Sequence, residues 1–385
     1  MSTSRRIPLI VLLTAAAGLF CIGPEPGLSV PSVSPAAQSG SIETIEGFRA
    51  EALGNTRNLY VYLPPGYDPR GGRRYPVLYV QDGKGVFYPS EWSGQSLKLH
   101  ERADRLILEG LIEPLIIVGI SNGGLERASE YTHWDGADRG LPVKARGAHY
   151  EAFLLQEVMP FVEARYPVRR GPEHTALMGA SLGGLSSFVI ALNHPERFSK
   201  AAIQSPNVWW GGEKLLQELQ SGNMKLPEGL RLWVEIGGAE RDLVYPVRRL
   251  VDELVRQGYV PEQDLAYYEV PGGTHSEASW AGQGDDILIW LYGSPGRPVD
   301  LELAAQKPVS CSRGLSQPDI RLNPVMVFET GLRMTSLRGR YAGDDGAVAV
   351  IGRRGRVRAV GPGFFSVLYV SDTGLSDTAV IEVTP

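Results

Sequence analysis

The sequence predicts an α/β domain on a mostly parallel sheet, followed by a small all-β domain. Three observations carry this. Between about residues 42 and 292, strand-length apolar runs alternate with segments of helical period. Several of those runs are continuous Val, Ile, Leu and Tyr, the pattern of parallel strands covered on both faces. After Tyr292 a Gly-Ser-Pro-Gly-Arg-Pro joint ends the helical period, and short alternating runs separated by Gly and Asp follow.

The chain of 385 residues opens with Arg5-Arg6, an apolar run from Ile7 to Phe20 and a Pro/Ser/Ala-rich stretch to residue 40. A basic start and a short apolar core read as a secretory signal, too short for a comfortable membrane span, so a secreted or periplasmic protein is expected. Phe20 is bulky where lipid attachment at Cys21 would need a small residue. Cleavage beyond Cys21 leaves Cys311 alone, which excludes an intramolecular disulfide and a thiolate metal cluster. A 43% hydrophobic, 21% charged composition suits a folded chain with a large core. The net charge of −5 argues against a nucleic-acid partner, as does the lack of a basic cluster interleaved with aromatics.

Residues 41–293 are expected to form the α/β domain. Its strands are read at Arg57–Leu63, Tyr75–Gln81, Leu115–Ile120, Thr175–Gly179, Ala201–Gln204, Leu230–Ile236 and Leu265–Val270, each a Val/Ile/Leu/Tyr-rich run with turn residues beyond it. Helices are read at Leu97–Leu108, His149–Arg165, Leu182–Leu192, Pro246–Gln257 and Gly284–Leu291. In the fourth, Val247, Leu250, Val251, Leu254 and Val255 recur at helical spacing, a core stripe. Residues 294–318 read as a linker and 319–385 as the β domain. Its strands are Val325–Phe328, Ala347–Ile351, Arg356–Val360, Phe364–Val370 and Ala379–Val383. The arginines at 353, 354, 356 and 358 read as a solvated hairpin.

Two stretches fit Gly-x-Ser-x-Gly, a pattern too short to mean anything without context. Gly179-Ala-Ser181-Leu-Gly183 follows an apolar strand and opens an apolar helix, the strand–turn–helix setting that exposes a nucleophilic serine. Gly119-Ile-Ser121-Asn-Gly123 also follows a strand, but Asn-Gly-Gly and a polar segment come next, so Ser121 fails the test. Ser181 needs a base, and in this architecture acid and then base follow the serine in the chain. Four of the six histidines precede Ser181, and His194 falls at the end of the following helix, where a capping role fits. His275 hangs in a Gly-rich loop directly after a strand and is the expected base. The acid belongs to the loop after Leu230–Ile236. Glu240 and Asp242 both lie there and spacing does not separate them, although Glu240 is favoured. The oxyanion hole is expected from the backbone amides of Leu182 and of Lys84, the latter freed by the turn at Gly83.

These stretches together resemble the esterase branch of the α/β-hydrolase superfamily. The resemblance spans roughly 42–292. It rests on Tyr79-Val-Gln-Asp-Gly83, Val118-Gly-Ile-Ser-Asn122, Arg127 with Glu130-Tyr-Thr132, and Gly179-Ala-Ser-Leu-Gly-Gly-Leu185. His194-Pro-Glu-Arg-Phe198, Ser205-Pro-Asn-Val-Trp-Trp210 and Gly272-Gly-Thr-His275 continue it. That branch includes enterochelin-type, feruloyl and acetyl esterases, S-formylglutathione hydrolase and secreted mycolyltransferases. The resemblance implies Ser181 as nucleophile, His275 as base and Glu240 as acid. Asp82, Trp209 and Trp210 are expected at the substrate pocket, with buried core packing the rival reading for the two tryptophans. The residues around the base, Gly-Gly-Thr-His-Ser-Glu, are closer to the mycolyltransferase form. Residues 319–385 resemble a bacterial Ig-like domain through Gly355-Arg-Val-Arg-Ala-Val-Gly361 and Ala379-Val-Ile-Glu-Val383.

The expected protein is therefore a secreted serine esterase acting on a small-molecule or polysaccharide-linked ester, with no metal or organic cofactor. Its Ig-like part would serve a cell-surface or carbohydrate contact. Transfer of the acyl group to an alcohol, and a catalytically dead adhesin or binding protein, are the rival readings.

Overall fold

The computed structural model describes residues 39–91, 93–304, 309–310, 321–343 and 346–384. The leader, Cys21 and Cys311 lie outside them, as do parts of the 294–318 segment. Among the described residues, no helix is long and apolar enough to cross a membrane.

An eight-stranded sheet forms the body. In chain order its strands are β1 (Ser41–Ala50), β2 (Asn55–Leu63), β3 (Val77–Gln81), β4 (Ile116–Ile120), β5 (Thr175–Ala180), β6 (Lys200–Gln204), β7 (Arg231–Gly237) and β8 (Leu265–Val270). In space they run β1-β2-β4-β3-β5-β6-β7-β8. The pairs β1/β2 and β2/β4 are antiparallel, and every pair from β4/β3 to β7/β8 is parallel. The sheet therefore fans its parallel carboxyl ends toward one rim, where open α/β sheets hold their ligands.

The strands read as unbroken apolar runs because alternate residues serve two cores. Val77, Tyr79, Ile116, Val118 and Leu177 face one core, whereas Leu78, Val80, Ile117, Ala176 and Met178 face the other. On the first side pack α2, continuous through Gly147–Phe153, Leu154–Val158 and Met159–Arg165, then α3 (Leu182–Asn193), α4 (Trp210–Ser221) and α5 (Val244–Arg256). On the second pack α1 (Leu99–Leu108) and α7 (Gly284–Tyr292). The short α6 (Glu277–Gly282) precedes α7. Helix α3 is buried along its whole length from Leu182 to Leu192, so its apolar character all round is that of a central helix.

Among the elements of the body that were not expected are β1 and α4. The strand β1 is mostly exposed, and a register shift between Ile45 and Phe48 breaks its alternation. In α4, Gly211, Gly212 and Glu213 have positive φ, so its start reads as a turn.

The C-terminal part is all-β. The strands β9 (Pro298–Ala304), β10 (Asn323–Phe328) and β11 (Arg333–Thr335) form one sheet. The segment Val309–Ser310 with β12 (Gly339–Gly343), β15 (Gly363–Ser371) and β16 (Ser376–Thr384) forms another, and β13 (Ala349–Ile351) pairs with β14 (Val357–Ala359). Leu301, Leu303, Phe365, Val367, Tyr369 and Ile381 share a core. The 294–318 segment, expected to be irregular, thus carries a strand. The prolines that introduce it hid the Val299, Leu301, Leu303 alternation.

This part is not hung on a free joint. Val325, Met326, Phe328 and Met334 belong to the same core as Tyr268 and Trp290. The Thr335 hydroxyl accepts from the Glu269 amide (3.0 Å), and the Asn323 side chain donates to the Glu269 carbonyl (2.6 Å). The arginine run departs from a wholly solvated hairpin, since Arg354 is partly buried and pairs with Asp252 on α5. A side chain that reaches a carboxylate on a neighbouring helix escapes the local logic of a charge run.

Candidate active site

Ser181 stands where β5 turns into α3. Its backbone is at φ 58°, ψ −124°, a strained conformation for a residue with a Cβ. The turn leaves no room for a side chain at Gly179. A Cβ on Gly179 would come within 2.4 Å of the Gly183 carbonyl oxygen. The Ser181 amide donates to Gln204 O (2.9 Å), and the Leu185 amide donates to Ser181 O (3.1 Å), which locks the serine between sheet and helix.

His275 lies in the loop after β8, and its Nε2 is 3.0 Å from Ser181 Oγ. Its Nδ1 is 2.7 Å from Glu240 Oε2, in the loop after β7. With Nδ1–H donating to the carboxylate, Nε2 is free to accept from the serine. The other oxygen of Glu240 accepts from the Gly237 amide (2.9 Å) and the Ser205 hydroxyl (2.6 Å). Asp242, two residues on, is exposed in the turn Arg241–Leu243. The Ser181 hydroxyl has a second acceptor at 3.0 Å, Asn207 Oδ1.

The two amides read as oxyanion donors each open a helical turn. Leu182 begins α3 and Lys84 begins Lys84–Phe87, and first-turn amides have no acceptor within their own helix. The second Gly-x-Ser-x-Gly supports this loop from behind. A Cβ on Gly119 would lie 2.7 Å from Gly83 O, and one on Gly83 would lie 2.5 Å from the Ser121 amide. Ser121 Oγ accepts from the Asn58 amide (2.8 Å). Its glycines serve close backbone approach, and its serine ties the loop to β2.

Asp82, at φ 62°, accepts from Asn122 Nδ2 (2.7 Å), Arg127 Nε (2.7 Å) and Arg127 Nη2 (2.8 Å). The Arg127 guanidinium lies over the Tyr131 ring, and the Tyr131 hydroxyl accepts from the Asp82 amide (3.2 Å). Below them Arg57 makes a buried two-pronged pair with Glu130 (2.5 and 2.6 Å). Trp210 packs into the core beside this cluster. It is buried and donates its indole N–H to Trp134 O (2.8 Å), with Gly136 making room for the ring. Trp209 retains partial exposure.

Sequence reading gave no role to Ser205, Asn207, Asn122, Arg127 or Trp280. Four of these sit in the strand-end loops that follow β4 and β6, and that position was the available signal. Trp280, on α6, offered none.

Beneath the site, Glu235 on β7 accepts from Gln204 Nε2 (3.0 Å), and burial pushes its carboxyl up to about 8. Asp286 on α7 and Glu240 face it, adding repulsion, and Asp286 is itself raised by burial to about 7. The folded chain therefore holds a proton on Glu235 that the unfolded chain has released above the ordinary carboxylate range. Stability from this group falls as pH rises from about 4.5 to about 8. Glu235→Gln keeps the shape and removes the titration. Its thermal midpoint is expected to match the parent's at pH 5 and exceed it at pH 8.5, as followed by circular dichroism. Equal losses in both proteins would refute this.

The "Putative esterase" family model matches residues 50–291. The chain is 28% identical to the uncharacterized protein YbbA of Bacillus subtilis, over 65% of this chain and 98% of that one. It is 27% identical to an endo-1,4-beta-xylanase/feruloyl esterase of Xylanibacter ruminicola, over 63% of this chain but 30% of that one. It is 32% identical to an iron(III) enterobactin esterase of Escherichia coli, over 70% and 60% of the two chains. Among solved structures, the enterobactin esterase of Shigella flexneri in the presence of enterobactin superposes with a TM-score of 0.55. The identity is 24%, and 69% of this chain and 61% of that one are covered.

Proposed function

Since the chain belongs to the Putative esterase family, of the α/β-hydrolase type, we propose that it is a serine carboxylic-ester hydrolase with Ser181, His275 and Glu240 as its triad. The observation that supports this most is the unbroken hydrogen-bonded line from Ser181 Oγ through His275 to a buried Glu240. The three members come from the carboxyl ends of three strands.

Ser181 Oγ attacks the ester carbonyl as its proton passes to His275 Nε2, and the oxyanion is met by the Leu182 and Lys84 amides. Glu240 balances the imidazolium. Collapse of the tetrahedral species expels the alkoxide, which takes the proton from His275, and leaves an acyl-serine. Water, deprotonated by His275, then attacks the acyl carbon and Ser181 departs with its proton restored. The acid is proposed to be Glu240, whose Oε2 lies 2.7 Å from His275 Nδ1, over the exposed Asp242.

The substrate is proposed to be an ester of a small molecule or of a polysaccharide, as the names of the enterobactin and feruloyl relatives suggest. The Arg5–Phe20 leader supports action outside the cytoplasm. The β part is proposed to be Ig-like, with β9 added to the span read from the sequence.

The test is a panel of p-nitrophenyl esters from acetyl to decanoyl plus methyl ferulate, run with and without an added sugar alcohol. Release of free acid from at least one ester is expected. Acyl product on the sugar alone would favour transfer. Folded protein that releases nothing, and whose Ser181 takes no adduct from a fluorophosphonate, would overturn the reading in favour of a binding protein.

A further inference from the structure

The triad is closed by two side chains outside it. Glu240 Oε1 accepts from Ser205 Oγ at 2.6 Å, and Ser205 Oγ accepts from the indole N–H of Trp280 at 2.9 Å. The Trp280 ring stands edge-on to the His275 ring, with centroids 5.0 Å apart and planes at 81°. The four groups form one circuit: imidazole, carboxylate, hydroxyl, indole, and back to imidazole.

The direction of the middle bond is fixed. An indole N–H only donates, so it occupies an acceptor position on Ser205 Oγ and leaves the hydroxyl proton for the carboxylate. The circuit is also held from outside. Ser205 sits at φ 42°, a strained conformation for a residue with a side chain, with its amide on Glu235 O at 2.8 Å. The Trp280 carbonyl accepts from Gln204 Nε2 at 2.9 Å, which anchors α6 and the loop bearing His275. Neighbouring residues on one strand end thus hold the acid and the base loop.

Resting on the esterase reading above, we propose that Ser205, oriented by Trp280, is a positioning residue that sets the basicity of His275 through Glu240. A charged donor–acceptor bond draws negative charge toward Oε1, away from the oxygen that faces the imidazole. With that bond in place Glu240 orients His275 yet stabilises its protonated form less. The base is then available at lower pH.

Ser205→Ala should move the acid limb of kcat/KM upward by about 0.5–1 pH unit, since that limb reports the base in the free enzyme. Trp280→Phe keeps a ring but loses the N–H, and should move the limb the same way by less. Glu240, Glu235 and Asp286 are the acidic groups around the circuit. A merely structural role would lower activity evenly at all pH, with the limb in place.

The same shift is read without turnover by NMR titration of the His275 imidazole in the Ser181→Ala background, comparing Ser205 with alanine at that position. An upward move supports the proposal even if no ester is ever hydrolysed. An unmoved titration in both Ser205→Ala and Trp280→Phe overturns it even if the enzyme is an active esterase. If Ser205→Ala does not fold, Trp280→Phe decides alone.

Discussion

Ser181→Ala is expected to lower kcat/KM for the best p-nitrophenyl ester by about 10⁴-fold or more, whereas Ser121→Ala leaves it within about twofold. The first loss follows from removing the nucleophile, since attack must then come from water on an ester held only by binding and by the two amides. The residual rate over solution would measure those amides, because triad members fail as a unit while the oxyanion donors go on working. The second result follows from the bond that Ser121 Oγ accepts from the Asn58 amide. Losing it loosens one tie between the loop and β2 and touches no reacting atom. A burst experiment separates chemistry from folding, since alanine at 181 should abolish acyl-serine accumulation while the circular dichroism spectrum stays that of the parent. Activity surviving Ser181→Ala would end the assignment.

Glu240→Gln carries the next largest effect, a fall in kcat of about 10³–10⁴-fold, with Asp242→Asn changing it less than about twofold. An amide at 240 keeps the volume, but it loses the charge that balances the imidazolium and can present an N–H to Nδ1. That favours the tautomer whose Nε2 carries the proton and cannot accept from Ser181. Asp242 is solvated, so its charge is screened and its removal leaves the site as it was. Ester hydrolysis by both variants at a pH above the acid limb is the measurement. A large loss in Asp242→Asn with Glu240→Gln near the parent would transfer the role.

Ser181 and His275 stood out as candidates because their signals are local. A strand, a turn with glycine two residues to either side of Ser181, and an apolar helix lie within twenty residues. The candidate acid could be placed only to a loop, since two carboxylates two residues apart are equivalent until a fold chooses which one turns inward. What stayed hidden is non-local. Ser205 and Trp280 are 75 residues apart, and no periodicity connects them. The edge strand β1 hid behind its bulge and its exposure, and α4 behind three residues of positive φ. The arginine at 354 met a helix a hundred residues away in the chain, which no count of neighbouring charges foresees.

Strand β8 closes one side of the large sheet, so part of its backbone faces outward with no further strand beside it. Thr335 and Asn323 occupy that flank at Glu269, and the apolar residues of β10 and β11 cover the adjoining core. Leu-Ala-Tyr-Tyr-Glu-Val is rich in the residues that favour pairing with a second chain. A catalytic fragment cut at the Gly-Ser-Pro-Gly joint would bare that ribbon. Such fragments would be expected to associate more readily than the whole chain, with light scattering as the measurement.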